Sequence, residues 1–102
     1  MKESSVELRL KTRLESFGFK VLKLTCPGTN GAPDRMLIGP KGTRCGPWFV
    51  ECKAPSKNER RLQELVRDEW RIRGLRVLDI CDSYDRVEEI VTTLREEALH
   101  SD

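Results

Sequence analysis

The chain has 102 residues and a formal net charge of +2, and its 35% charged and 37% apolar residues predict one small globular domain over residues 1–102. No apolar run reaches membrane-spanning length and the N-terminal region lacks the apolar segment of a signal peptide, which favours a cytoplasmic protein, in the host cell if viral, without membrane contact. The four cysteines include no C-x-x-C pair and the single histidine is residue 100, so the sequence does not support a zinc site.

The first predicted helix covers residues 4–17. Its apolar residues recur at steps of three and four: Val6, Leu10, Leu14 and Phe17. Ser4 and Glu7 have the spacing of a capping box, which would give Glu7 a structural role at the start of the helix. Glu7 also borders the apolar stripe, from which it could reach a site above the sheet, with Glu3 as its substitute. The sequence leaves both roles open.

Three predicted strands follow the helix. Residues 19–25 are strand-like, and residues 26–31 form a loop with one proline and two glycines. Residues 36–38 and 48–53 are two further strand-like runs, separated by turn-forming residues at 39–42. These two runs predict a β-hairpin.

The ends of this hairpin carry ionisable residues. Side chains alternate along a strand, so Glu51 and Lys53 share a face with Phe49, and Cys52 takes the other face. With the hairpin in register, Asp34 lies near Glu51 and Lys53. Two close carboxylates bind a hard divalent cation well, and a lysine beside them can orient water or steady negative charge on a phosphate. An E-x-K sequence alone is common and is more typical of a surface ion pair than of a catalytic site.

A second helix is predicted over residues 56–73, opened by a capping box at Ser56 and Glu59. Four of its residues are expected to face the core: Leu62, Leu65, Val66 and Trp70. Gln63 borders this stripe and could bond a site carboxylate, a water or a phosphate, although spacing alone favours a solvated glutamine. Three basic residues at the helix start are candidate DNA contacts: Lys57, Arg60 and Arg61.

Basic residues dominate most of the chain. Residues 1–81 contain 17 Lys and Arg against 10 Asp and Glu, whereas residues 82–102 contain two against seven. The excess of basic residues over residues 1–81, here called the basic body, attracts polyanions such as DNA. Arg35 follows Asp34 and points to the opposite face of its strand, where it could contact a phosphate or pair with an acid.

The last two elements complete an α/β fold. Residues 75–81 predict a largely buried strand, and residues 82–99 a helix with one apolar stripe: Val87, Ile90, Val91, Leu94 and Ala98. Cys52 and Cys81 are predicted buried thiols. The hairpin makes neighbouring strands antiparallel, and the intervening helix allows a parallel crossover to the fourth strand. The order α-β-β-β-α-β-α thus predicts a mixed four-stranded sheet with helices on both faces.

The chain resembles the VRR-NUC (virus-type replication-repair nuclease) family of the PD-(D/E)xK nuclease superfamily. The resemblance covers Glu3 to about Ser83 and rests on three parts: Gly31-Ala32-Pro33-Asp34-Arg35, Phe49-Val50-Glu51-Cys52-Lys53-Ala54-Pro55, and Gln63. Cys52 is a mild departure, because the family usually has an aliphatic residue there. The resemblance implies a restriction-endonuclease-like core.

The resemblance also implies roles for individual residues. It implies three metal-binding groups: the carboxylates of Asp34 and Glu51 and the backbone carbonyl of Cys52. Lys53 would orient or activate the attacking water, Glu7 would help to hold the metal or its water, and Gln63 would be the helix glutamine near the site. Family members use Mg²⁺ or Mn²⁺ to hydrolyse DNA phosphodiesters. Small stand-alone members resemble homodimeric Holliday-junction resolvases, which implies branched DNA as partner.

A homodimer also has a physical rationale. A four-way junction offers two equivalent strands, which a two-fold symmetric pair of sites would match. The apolar face of the last strand and the two tryptophans are candidate contact surfaces, although core packing is favoured for Trp48 and Trp70.

Three other functions remain open from the sequence. The first is a DNA- or junction-binding module without catalysis, which would use the basic residues and need no metal. The second is a nuclease that cuts flaps or single strands. The third is a restriction-type nuclease, which is disfavoured because the chain shows no additional recognition segment.

Overall fold

The computed structural model of the chain describes residues 5–53 and 61–101. These residues form seven elements: α1 (Ser5–Ser16), β1 (Lys20–Lys23), β2 (Arg35–Ile38), β3 (Trp48–Val50), α2 (Arg61–Ile72), β4 (Arg76–Val77) and α3 (Tyr84–Leu99). The predicted order of helices and strands is confirmed. Several predicted features lie outside the described residues: Glu3, Ser4, the capping box at Ser56 and Glu59, and the basic residues Lys57 and Arg60.

The four strands form one mixed sheet in the order β1-β2-β3-β4. β1 and β2 are antiparallel, as are β2 and β3, where Arg35 lies opposite Val50. β3 and β4 are parallel, with Trp48 beside Arg76. The predicted hairpin and the predicted parallel crossover are therefore both confirmed.

Alternating side chains of β3 divide the packing between the two faces of the sheet. Trp48 and Val50 are 1% and 0% exposed and belong to the main core. Phe49 points to the other face, where its ring packs edge-on against Trp70 of α2 with 5.4 Å between ring centroids. α1 and α3 thus cover one face of the sheet, and α2 covers the other.

The main core is formed by α1, α3 and the inward side chains of the sheet. The two helices contribute most of its aliphatic residues: Val6, Leu10, Leu14, Val87, Ile90, Val91 and Leu94. Both predicted apolar stripes are confirmed, with Phe17 and Ala98 partly buried at their ends. α3 begins at the predicted position, because the Ser83 hydroxyl accepts a hydrogen bond from the Arg86 N–H at 3.0 Å.

The prediction that Leu62 and Leu65 face the core is wrong. Each is 48% exposed, whereas Val66 is 8% exposed and Trp70 is half-buried. The regular part of β4 has only two residues, so the sheet offers α2 little surface beyond Phe49 and Val77. An amphipathic helix on such a narrow support leaves part of its apolar stripe in solvent.

The fourth strand is shorter than predicted, but its pairing with β3 continues past Val77. The Leu78 N–H donates to the Phe49 carbonyl at 2.8 Å, and Cys52 and Cys81 form an isolated parallel bridge. Both cysteines are buried, as predicted, at 5% and 0% exposure. Within the part of the chain that the structure describes, no helix is both long and apolar enough to cross a membrane.

Candidate active site

Asp34 and Glu51 lie at the ends of adjacent antiparallel strands. Asp34 precedes the first residue of β2 and Glu51 follows the last residue of β3. Because Arg35 lies opposite Val50, the register makes Asp34 and Glu51 the next facing positions, on the same face of the sheet. The side chains are 33% and 18% exposed. The predicted proximity of the two carboxylates is confirmed.

The backbone around Cys52 links the two acids. The Cys52 N–H donates to Oδ1 of Asp34 at 3.1 Å. On the other side, Cys81 accepts from the Lys53 N–H and donates to the Glu51 carbonyl, both at 2.9 Å. In a strand the N–H and carbonyl of one residue point to the same side, so the Cys52 carbonyl also points towards Asp34. The carbonyl of Cys52 and the carboxylate of Asp34, two of the predicted metal ligands, therefore lie on the same side of the strand.

Lys53 completes the predicted acid–acid–lysine group. Its Nζ lies 3.9 Å from Oε2 of Glu51, and its side chain is 17% exposed. This separation is longer than a hydrogen bond, and it leaves the ammonium group close to the carboxylate without locking it there. A lysine in this position can contact a water or an anionic oxygen next to Glu51.

Arg35 joins Asp34 to the first helix. Its side chain is 9% exposed, donates to Oε2 of Glu7 at 2.9 Å, and lies 3.4 Å from Oδ2 of Asp34. Arg35 is thus a partner to the acids, which is one of the two roles considered for it, and its contact with a DNA phosphate stays a prediction. A buried arginine with two carboxylate partners has its charge compensated within the protein.

Glu7 lies near the site but is attached to it through Arg35. Its carboxylate is 18% exposed. Among residues 5–53 and 61–101, no three His, Cys, Asp or Glu side chains are grouped so that they could hold a metal ion. Glu7 is therefore not assembled with Asp34 and Glu51 into a three-carboxylate ligand set.

The environment raises the pKa of both strand-end acids. Burial, and secondarily the negative charge of Asp34, raise the pKa of Glu51 to about 7, although Lys53 opposes this effect. Burial also raises the pKa of Asp34 above its usual value, against the opposing hydrogen bond from the Cys52 N–H. The cationic side chains of Lys53 and Arg35 thus do not offset the effect of burial on the pKa values of these two carboxyl groups.

Gln63 and Glu51 line one small cavity. This cavity has a volume of about 10 Å³, which is room for about one water molecule, with Arg67 as a further wall. Gln63 also lines a larger cavity of about 420 Å³ together with Asn30, Gly31 and Leu62.

The predicted DNA contacts on α2 are only partly described. Arg61 is exposed at the start of the helix, and its guanidinium pairs with Glu64 at 2.9 Å. Its contact with DNA stays a prediction. Lys57 and Arg60 lie outside the described residues.

The donor groups fit a hard divalent cation. Asp34 and Glu51 supply carboxylate oxygens, burial raises the pKa of both groups, and strand geometry directs the Cys52 carbonyl to the same side as its N–H. Mg²⁺ and Mn²⁺ prefer oxygen ligands of this kind. These three groups remain the best candidates for holding such an ion.

Two structural contributors were not predicted from the sequence. The Cys81 backbone, which follows β4, bonds to the backbones of Glu51 and Lys53, and Gly31 lies so close to α2 that a Cβ there would be 3.0 Å from the Leu62 carbonyl oxygen. The glycine in Gly31-Ala32-Pro33-Asp34 is a signal for such a close approach. Nothing in the spacing of Cys81 signals its backbone pairing.

A solved structure described as a VRR_NUC domain has the same fold. It is 32% identical in sequence, covers 85% of this chain and 90% of its own, and superposes with a TM-score of 0.70. This chain belongs to the VRR-NUC family. No family model matches the sequence.

A phage protein provides a second comparison for this VRR-NUC chain. "Putative nuclease p44" of Acyrthosiphon pisum secondary endosymbiont phage 1 is 37% identical over 57 residues. The match covers 56% of the VRR-NUC chain and 58% of the phage protein, little more than half of either. The phage protein is named a nuclease, and that name applies to it alone.

Proposed function

We propose that this VRR-NUC domain is a divalent-metal-dependent DNA endonuclease that hydrolyses phosphodiester bonds. The observation that carries the proposal is the placement of Asp34 and Glu51 at facing strand ends, with Lys53 beside them. Family membership and the nuclease name of the phage relative support the same reaction class. The basic body of the chain suits a polyanionic substrate.

Three groups would hold the metal: the carboxylates of Asp34 and Glu51 and the carbonyl of Cys52. When bound, Mg²⁺ or Mn²⁺ would polarise a phosphate oxygen and offset the negative charge that develops during hydrolysis. The Cys52 N–H already fixes one Asp34 oxygen, and Cys81 fixes the backbone of Glu51, so the donors are oriented by the sheet.

Two polar side chains would act on the attacking water. Lys53 is near Glu51 without a short hydrogen bond to it, so its ammonium can orient a water or steady charge on the phosphate. Gln63 shares a one-water cavity with Glu51 and can hold a water by its amide. Glu7 supports this arrangement through Arg35, which also reaches Asp34.

We further propose that the substrate is branched DNA and that the enzyme acts as a homodimer, like a Holliday-junction resolvase. Two symmetric cuts in a four-way junction need two sites, and one small domain supplies one. Trp48 is buried in the main core, and the half-buried Trp70 packs against Phe49. Exposed apolar groups at the end of α2 provide the candidate dimer surface: Ile72 is 86% exposed and Leu75 is 41% exposed.

The test compares labelled four-way junction, flap, duplex and single-stranded DNA in Mg²⁺, Mn²⁺ or EDTA. Paired symmetric nicks in the junction support the resolvase, whereas cutting of flaps or single strands retains the nuclease and rejects the resolvase. Asp34→Ala and Lys53→Ala should abolish cutting and keep the wild-type circular dichroism. Metal-dependent cutting at wild-type rate by either variant rejects the site assignment. No cutting of any substrate by folded wild-type protein supports a DNA-binding module instead.

A further inference from the structure

A cavity of about 420 Å³ opens next to the candidate active site. Its described walls are Asn30 and Gly31 from the loop before β2, and Leu62 and Gln63 from the first turn of α2. We call it the base cleft. Gly31 and Gln63 also line the small cavity that contains Glu51, so the base cleft and the carboxylate site share two walls. A ligand in the cleft would therefore lie next to the small cavity that Glu51 lines.

The described walls of the base cleft combine an apolar surface with amide groups. Leu62 is 48% exposed and presents its side chain at the edge of the cleft. Asn30 and Gln63 contribute side-chain amides, which can both donate and accept hydrogen bonds. Gly31 contributes only backbone to the wall, and a Cβ there would lie 3.0 Å from Leu62, so the glycine lets the loop pack closely against α2. None of these four residues carries a charge that would hold a phosphate.

We propose that the base cleft binds one unstacked nucleobase of the DNA strand, next to the phosphodiester that is cut. This proposal rests on the proposed nuclease function. A nucleobase has an apolar face for Leu62 and polar edges for the amides of Asn30 and Gln63, and amide side chains commonly pair with base edges. The cleft volume lies within the range of small-ligand sites.

Such a cleft would select the DNA structure that is cut. In a continuous duplex the bases are stacked and paired, and extruding one costs a few kcal/mol of free energy. A nucleotide at a junction, a flap or a mismatch lacks part of that stacking and enters the cleft at lower cost. The base cleft therefore provides a physical reason why a small domain would prefer branched DNA over duplex.

The first experiment measures cleavage in Mg²⁺ of branched substrates that carry either a base or an abasic residue at each position flanking the cut. At one position, wild-type protein should cut the abasic substrate about fivefold or more slowly, the lower end of what one good amide–base pair contributes. Leu62→Ala and Asn30→Ala should reduce this discrimination. Leu65→Ala is the matched control, because Leu65 is also 48% exposed but lies outside the cleft. It should retain the discrimination.

A second measurement does not depend on cleavage. DNA with 2-aminopurine at the same position is titrated with protein in EDTA, and its fluorescence should change with wild type and Leu65→Ala but much less with Leu62→Ala. If wild type cuts base and abasic substrates equally, the cleft proposal is overturned while the nuclease stands. If wild type cuts no substrate, the proposed nuclease function is rejected. The fluorescence titration then tests the base cleft by itself, and the absence of a fluorescence change at every position overturns the cleft proposal.

Discussion

Replacing Glu51 with glutamine should stabilise the metal-free protein at about pH 8. The pKa of Glu51 is raised from the usual 4.5 to about 7, chiefly by burial and then by the charge of Asp34. A carboxyl whose pKa is raised in the folded state binds its proton more tightly there than in the unfolded chain. The folded state therefore binds more protons between these two values, and the free energy of unfolding falls as pH rises through them. The stabilisation that proton binding by Glu51 gives the folded state is complete below pH 4.5 and lost above pH 7.

The size of the effect follows from the same two pKa values. The difference between 4.5 and about 7 corresponds to about 3 kcal/mol of unfolding free energy at pH 8. The Glu51 side chain is only 18% exposed, so solvent screening reduces this value little. Glu51→Gln removes the ionised group and should recover about 2 to 3 kcal/mol at pH 8 in EDTA, but almost nothing near pH 4.5, where Glu51 is protonated.

Urea titrations followed by tryptophan fluorescence would measure this difference at several pH values. Glu64→Gln is the matched control, because Glu64 is 41% exposed and pairs with Arg61 on the surface; its stability should change by less than about 1 kcal/mol. Mg²⁺ at about 100 times its Kd should stabilise wild type by about 2.7 kcal/mol and Glu51→Gln by much less. An equal gain from Glu51→Gln at pH 4.5 and pH 8, or no gain at pH 8, would refute the assignment of uncompensated charge to Glu51.

Two further substitutions test the packing of α2 against the loop before β2 and the proposed dimer surface. Gly31→Ala should lose more stability than Gly28→Ala, because both glycines have positive φ, of 85° and 82°, but only Gly31 would bring a Cβ to 3.0 Å from Leu62. Chemical denaturation should give a loss of about 1 kcal/mol for Gly28→Ala and at least twice that for Gly31→Ala, and equal losses would contradict the close contact. If the proposed homodimer forms through this surface, Ile72→Arg should give monomers in light scattering and leave the circular dichroism unchanged, since a charge replaces an 86% exposed apolar group. A dimer that survives this change must use another surface.

The sequence was sufficient for the hairpin and its carboxylates, because strand alternation is a local rule. Once the apolar runs at residues 36–38 and 48–50 are paired, the facing positions of Asp34 and Glu51 follow from the chain itself. The helical stripes of α1 and α3 were equally predictable, since both helices bury a full apolar face in the main core.

The wrong or missing predictions concern contacts that depend on how much surface a neighbouring helix or strand offers. Periodicity correctly marks Leu62 and Leu65 as one side of an amphipathic helix, but it contains no information about the two-residue length of β4 beneath them. The pairing of Cys81 with Glu51 and Lys53 is a contact between strands about 30 residues apart, and no spacing rule specifies it. The sequence therefore located the acids of the site but not the backbone that orients them.

The role of Arg35 can be separated experimentally from that of a DNA contact. Its guanidinium is 9% exposed and is bound to Glu7 at 2.9 Å, so Arg35→Ala removes a buried cation from beside the carboxylates of Glu7 and Asp34 and should cost about 3 kcal/mol of stability. Adding Glu7→Gln to Arg35→Ala should restore part of that loss, because the uncompensated charge is then removed as well. An arginine that contacted a phosphate would behave differently: its loss would leave stability almost unchanged and reduce the salt dependence of DNA binding by about one counterion. Urea titrations of the two single variants and the double variant, together with DNA affinity over a range of salt concentrations, would distinguish the two roles.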